Sequence, residues 1–480
     1  MFKTIIGIEI HAQLQTASKA FCRCANDTQS AANSNVCPIC TGQPGTLPSL
    51  NKKMITYAIK AGLAFGCSIR KRTSFDRKNY FSSDMPKGYQ ITQFFQPIAE
   101  KGFVEILSET RKKIITVSSI HMEEDSARTL LKKDHQTGRF LKLLDFNRSG
   151  IPLLEIVTAP EITSPKEAVE CFETIRNILM YLDVCDGIME SGSIRCDVNI
   201  SIQNSKTGQS TNRVEIKNLN TYKNIERALL YEEKLLKDGF DSFIDNEAFT
   251  KDWDEQTKQT LISREKESLK DYRYFKEPDL SPVNIPDKLI ESLKNHIPEL
   301  PLKRLERMMN EYNLRYDIAK ALVIDRPLAD FFEQSMVILN TDEMKNIIIR
   351  DVKSYLNQQG KQLSETHLTP EKLYQLLNNI KTGRIPPLMK QTVLKALFET
   401  SKKVNTIIEE KNLIKIDDRQ SLETILEEII TDNEEQFEAY RCGKKELFKW
   451  FIGQMIKRTK GRSDPKLIIS VIEDKMGGLT

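Results

Sequence analysis

No stretch of the chain reaches about 18 consecutive apolar residues, the length a membrane-spanning helix needs, so no transmembrane segment is expected. The only apolar run near the N-terminus is interrupted by Glu9 and His11, which argues against a secretory signal. Neither sign of charge is in large excess. The formal net charge is +4, so composition alone points to no nucleic-acid partner and any basic patch has to be local. A Gly-rich phosphate loop of the Walker type is also missing, so a bound phosphate would have to be held by other means. Cysteine is scarce outside one cluster: of nine, four fall between Cys22 and Cys40, while Cys67, Cys171, Cys185, Cys196 and Cys442 are scattered. This spacing suits a reducing cytoplasm and one metal knot better than a disulfide framework.

What is present is an ordinary globular composition, 39% hydrophobic and 29% charged, over 480 residues. A chain of that length exceeds one core, and roughly two to four domains are expected. The cysteine cluster reads Cys22-x-Cys24, twelve residues, then Cys37-Pro-Ile-Cys40. Two short-spaced thiol pairs around a polar loop are what a tetrahedral zinc site requires. Four protein ligands leave no open position, so its role is expected to be structural.

Several segments alternate with the period of a half-buried strand. In Lys3–Leu14, Ile6, Ile8 and Ile10 share one face, and Glu9 and His11 the other. After Ile114–Val117 comes His121-Met-Glu-Glu-Asp125, where His121, Glu123 and Asp125 would point one way and Met122 and Glu124 the other. The acidic run is either a solvated strand end or a Mg²⁺ site, since hard cations take oxygen ligands. Glu155 is a lone charge within the apolar strand Ile151–Val157, so it needs a basic partner or a metal. Ser193–Ile202 and Arg213–Lys217 alternate again, placing Arg195 with Asp197 on one face and giving both strands polar faces suited to a cradle floor. Phe75–Gln90 has no period but is dense in Asp, Arg, Lys and Tyr, as in an ordered lining loop.

Helical patterns are expected from Lys52 to about Phe65 and from Lys166 to Val184, the latter with Val169, Phe172, Ile175, Leu179 and Leu182 on one stripe. Prolines punctuate Ser281–Pro301, and beyond them the pattern is almost wholly helical, with a break near Gly383–Pro387. The expected class is α+β: a mixed or antiparallel sheet cradle with a zinc knuckle over 1–293, then helical domains over 294–404 and 405–480. The last piece carries Arg441, Lys444, Lys445, Lys449, Lys457, Arg458, Lys460 and Arg462, interleaved with Phe448, Trp450, Phe451 and Ile452. It is either an exposed helix face with a buried aromatic stripe or a grip on a phosphate backbone.

The segments GIEIHAQLQTASKAFC, CPICTGQPGTLPSLN, FDRKNYFSSDMPKGYQITQ, HMEEDSAR, DFNRSGIPLLEIVTAP, SIRCDVNIS, EIKNLN, DYRYFKEPDL and GQMIKRTKGRSDP together resemble the B subunits of tRNA-dependent aspartyl/glutamyl amidotransferases. The likeness runs nearly end to end, and the lack of room for an extra inserted domain favours the bacterial or organellar form over the archaeal one. Ser82-Ser83, Ser263 and Lys276 depart from the family's common residues. The resemblance implies a ligase that uses ATP and Mg²⁺ to phosphorylate the side-chain carboxylate of Glu or Asp on a mischarged tRNA(Gln) or tRNA(Asn), which ammonia then converts to the amide. It further implies that His11, Glu124 and Glu155 hold magnesium with Glu9 close by. By the same likeness Lys78, Tyr80, Lys87, Arg195, Asp197 and Lys217 line the nucleotide pocket or the ammonia route, and structural zinc sits on Cys22, Cys24, Cys37 and Cys40. The implied partners are an amidase-like A subunit that supplies ammonia, a small C subunit, and tRNA. A non-enzymatic zinc-bearing RNA-binding protein is the alternative, and an ATP-dependent ligase acting on a small carboxylic acid a third reading.

Overall fold

The structure is a computed structural model describing residues 2–108, 111–134, 136–244, 248–265 and 272–477. Asp271, which opens the DYRYFKEPDL segment, lies outside the described residues. The chain forms two compact units, Met1–Glu311 and Tyr312–Thr480. The first is rich in sheet and the second, as far as it is described, is helical. The first unit runs past the boundary expected near 293 because the helix Pro301–Tyr312 packs back on it. There the Arg304 guanidinium lies 5.8 Å from the Tyr181 ring and Glu306 pairs with Lys112 at 2.5 Å. None of the described helices is long and apolar enough to cross a membrane.

The first strand, Phe2–Gln13, sits at the middle of a nine-stranded sheet. Its alternation dictates that position, because a strand buried on one face needs partners along both edges. On one edge it pairs antiparallel with Ile194–Asn204, which leads outward to Val214–Leu219, Phe249–Asp254 and Gln259–Glu265. On the other it pairs antiparallel with Pro152–Thr158, followed by Arg111–Glu124, Ala99–Ser108 and Ser68–Ile69. One pair is parallel, Val214–Leu219 with Phe249–Asp254, so the sheet is mixed as expected.

Ile6, Ile8, Ile10 and Ala12 face a continuous core and are essentially inaccessible, as are Ile120, Met122, Leu154 and Ile156 on the neighbouring strands. Helices Lys52–Ala64, Pro165–Tyr181 and Tyr222–Asp238 close that face. The second of these starts where Ser164 accepts a hydrogen bond from the Glu167 backbone and Pro165 fills the first turn. Its stripe of Phe172, Ile175 and Leu179 is fully buried, as the periodicity predicts. The opposite face of the sheet keeps the polar residues. A small sheet of Asp76–Asn79, Tyr89–Thr92 and Phe275–Lys276 carries further residues toward them.

In the second unit, the helices from Arg419 to Gly477 enclose a core including Leu422, Leu426, Phe451, Met455, Val471 and Ile472. The aromatic stripe of the tail is therefore largely internal: Phe451 is inaccessible and Trp450 packs against that core.

Ile10→Ala would leave a cavity under the central strand and is expected to lower the first unit's stability by about 3 kcal/mol. Urea unfolding followed through buried Trp253, in a Trp450→Phe background, measures this. An unchanged midpoint would mean that the strand is not the centre of the core.

Candidate functional site

Register across the central strands aligns the polar side chains. Arg195, His11, Glu155 and His121 are direct neighbours on four successive strands, and so share one face. Glu123 lies two residues beyond His121 on that same face. His11, Glu123 and Glu155 accordingly converge: their ligand atoms lie within 4.8 Å of one another, with His11 Nε2 3.6 Å from Glu155 Oε1 and 3.9 Å from Glu123 Oε2. One imidazole and two carboxylates at that spacing suit a divalent cation that keeps further positions for water or phosphate.

The electrostatics favour such an ion. Burial, followed by the charge of Glu155, holds the Glu123 carboxyl above its ordinary range. Burial works the same way on Glu155, but pairing with His11 outweighs it and pushes the carboxyl down to about 2. Burial pulls the His11 imidazole down, and Glu155, Glu123 and Asp197 together raise it above its usual value. Glu9, two residues from His11, is raised by burial and by Glu155 and Glu215, and accepts a hydrogen bond from Asn199 at 3.0 Å. Lys78 also acts favourably on both carboxylates, and His121 on Glu155, from beyond ion-pair distance, and a metal ion between the two carboxylates would add to that compensation.

His11 and Glu123 open into a cavity of about 480 Å³ that is also lined by Lys78, Tyr80, Arg195, Asp197 and Lys217. Five of the six residues expected for a nucleotide pocket or ammonia route therefore meet here. Lys78 Nζ lies 4.7 Å from the Tyr272 ring. Lys217 is turned inward by a bulge in its strand, next to Asn218 at φ +63°, and reaches Asp197 at 2.6 Å and Glu215 at 3.4 Å. Those two carboxylates raise its pKa against burial. Asp125 is buried, yet Arg195 at 3.1 Å and Arg148 at 3.7 Å hold its carboxyl below the ordinary range. Arg195 keeps its buried Nε without a partner among the described residues, a donor available to an anionic oxygen.

Glu124 and Lys87 do not join this group. Alternation turns Glu124 away from Glu123, so its Oε1 accepts from the Ile91 backbone at 2.9 Å and from Lys87 Nζ. That ion pair lines a second cavity of about 260 Å³ beside Cys22 and Cys40. Of the trio expected to hold magnesium, His11 and Glu155 lie together here, Glu124 does not, and Glu123 stands beside them instead. Asp125, Gln90 and Tyr272, which were not assigned to the pocket, line it too. The strand alternation already paired Glu123 with His121 rather than with Glu124. The cross-strand register needed to finish the assignment is not written in any one segment.

The four cluster cysteines also converge, with every Sγ within 4.8 Å of the others and Cys37 and Cys40 3.9 Å apart. Sulfurs around a tetrahedral zinc with bonds of about 2.3 Å lie about 3.8 Å apart, so the donor set fits. The Cys37 backbone N–H donates to Cys40 Sγ at 3.2 Å, and the Cys40 thiol is lowered to about 4, first by its bond with Cys22. The knuckle is tied to the sheet by Ser149 Oγ donating to the Cys40 carbonyl at 3.2 Å and Asn147 Nδ2 to the Ala31 carbonyl at 2.8 Å.

Residues 4–291 match the family described as the GatB/GatE catalytic domain, and residues 330–476 match the GatB domain. The chain is 40% identical over 479 residues to the B subunit of the aspartyl/glutamyl-tRNA(Asn/Gln) amidotransferase of Thermotoga sp. (strain RQ2), covering 99% of both chains. The protein of that name from Pseudothermotoga lettingae is 41% identical over 99% of this chain and 100% of its own. The one from Rippkaea orientalis is 38% identical, over 99% and 98% respectively. Matched to such relatives along almost all of their length, the chain belongs to the family of aspartyl/glutamyl-tRNA(Asn/Gln) amidotransferase B subunits.

Proposed function

We propose that the chain is the carboxylate-activating component of a glutamine-dependent tRNA amidotransferase. It uses ATP to phosphorylate the side-chain carboxylate of Glu on tRNA(Gln), Asp on tRNA(Asn), or both, and the acyl phosphate is amidated by ammonia. The observation that carries this reading is that His11 and Glu123, grouped with Glu155, line one cavity together with Lys78, Arg195 and Lys217. A site with clustered carboxylates and separate cations can hold a metal, phosphate and a substrate carboxylate together. A pure RNA-binding protein gives no reason to assemble the acidic trio.

His11 Nε2 and the carboxylates of Glu123 and Glu155 would hold magnesium. That ion supplies charge neutralisation on the phosphates when bound. Arg195, braced by Asp125, presents its orphaned Nε to an anionic oxygen. Lys217, braced by Asp197 and Glu215, holds a second positive charge on the cavity, from the neighbouring strand. Lys78, on the strand Asp76–Asn79 of the small sheet, and Tyr80 just after it line the cavity, where they can orient a ligand and keep water out. Nucleophilic ammonia would come from an amidase-like A subunit, with a small C subunit completing the complex, and the setting would be cytoplasmic. Zinc on Cys22, Cys24, Cys37 and Cys40 would be structural.

Beyond residue 293 we propose two helical parts, 294–404 and a tail over 405–480 that binds tRNA. The core of the tail's own helices supports that division. The exposure of Lys444, Lys445, Lys449, Lys457 and Lys460 supports the binding role. Arg458 is partly engaged with Asp432 at 3.2 Å, and Arg441 with Glu438 at 2.9 Å.

Glu155→Gln is expected to cut ATP-dependent amide formation by about a hundredfold or more while tRNA affinity is retained. Glu123→Gln should raise the Mg²⁺ concentration needed for half-maximal rate, whereas Glu124→Gln should not. A Mg²⁺ requirement moved by Glu124→Gln alone would restore Glu124 to the trio and remove Glu123. Metal analysis of the purified protein should give one zinc per chain, and none would eliminate the knuckle's metal. Deletion beyond residue 405 should weaken tRNA binding and flatten its salt dependence while ATP-dependent activation persists. A truncated chain with full tRNA affinity would make the tail structural.

A further inference from the structure

Lys19 is a charged side chain that the reaction leaves unused. It is fully inaccessible to solvent, although it lies at the edge of the cysteine knuckle. Its ammonium donates to the Phe146 carbonyl at 3.0 Å and approaches Cys40 Sγ at 3.6 Å. Among the described residues no carboxylate stands within ion-pair distance of it. A desolvated ammonium is costly unless negative charge faces it, and a carbonyl dipole alone is a weak substitute. A neutral donor would have served the carbonyl equally well.

The negative charge is at hand. Four thiolates around one divalent ion leave two charges uncompensated, and Cys40 is both buried and the sulfur nearest to Lys19. Gly150 lies beside both groups, and its φ of +85°, a backbone conformation that favours glycine, makes the turn there. The Gly150 carbonyl accepts from Ala20 N–H at 2.8 Å, fixing the residue next to Lys19 against the same turn.

We propose that Lys19 is the buried counter-cation of the four-cysteine centre, retaining its metal by offsetting the excess thiolate charge. This rests on the zinc reading above and extends it to a residue outside the ligand set. Lys19 is thus a positioning residue that acts through Cys40.

The test compares the full-length chain in its native assembly with Lys19→Met, Lys19→Gln and Lys19→Arg. Zinc release to excess chromophoric chelator is followed, together with the sulfur-to-metal charge-transfer band of the Co²⁺-substituted protein. Both neutral variants are expected to lose zinc at least about tenfold faster, the scale of an outer-sphere change, and to shift the band. Lys19→Arg, which keeps the charge, should stay near wild type in both. Lys19→Gln retains a donor for the Phe146 carbonyl, so it carries the comparison if Lys19→Met does not fold. Wild-type release from the neutral variants would overturn the proposal, as would equal leakage from Lys19→Arg and Lys19→Gln. A wild-type protein holding no zinc would instead overturn the metal reading on which the proposal stands.

Discussion

The register of the first strand is the constraint on which the site depends. Because Phe2–Gln13 pairs on both edges, His11 is locked between Arg195 and Glu155, and Glu9 faces Asp197 across the same pairing. A shift of one residue would put Ile10 in the cavity and His11 in the core. The apolar burial that stabilises the first unit and the convergence of polar groups are therefore two faces of one alignment. Ile8 and Ile10 could not be held against the helices without presenting Glu9 and His11 on the other side.

That arrangement collects charge at places water cannot fully reach, and each charge is answered locally. Asp125 is met by two arginines, Lys217 by two carboxylates, and Glu124 by Lys87. In the outer part of the sheet the inaccessible Glu232 takes Lys251 at 2.6 Å and a hydroxyl from Thr260. Glu123 and Glu155 are less closely paired: among the described residues His11 is the cationic group within ion-pair distance of both, Thr92 donates to Glu123 at 2.6 Å, and Lys78 helps to hold both carboxylates charged from further away. Fully balanced clusters brace the scaffold. The less closely paired one is where, on the function proposed above, a cation would bind.

Much of this was legible from the residues. Alternation identified the strands carrying His11, Glu123, Glu155 and Arg195, and the cysteine spacing identified the knuckle. The lone charge of Glu155 among apolar neighbours pointed to a partner, found in His11. What could not be read was distance between segments. Lys78, Tyr80 and Lys87 fall in a stretch with no readable period, which turns out to hold the strand Asp76–Asn79 and the turn after it, and there Lys87 Nζ is drawn to Glu124 while Lys78 and Tyr80 line the larger cavity. A stretch with no readable period gives no rule for which way each side chain turns. The buried state of Lys19 was hidden for a similar reason: its neighbours Ser18 and Ala20 say nothing of Phe146 or Gly150, which lie more than a hundred positions away.

The adjacent residues Glu123 and Glu124 show how finely one strand divides chemistry. Both are nearly inaccessible, and one peptide bond separates them. Alternation sends the first to the imidazole and the larger cavity, and the second to a lysine and the cavity beside the cysteines. Glu124 already has a full countercharge and a backbone donor, so a metal there would first have to displace Lys87. Glu123 has no such tenant. Two carboxylates of the same kind therefore sit in different electrostatic settings, one paired directly with a lysine of its own chain and the other beside the imidazole at the larger cavity, which is why the proposed metal role falls to Glu123.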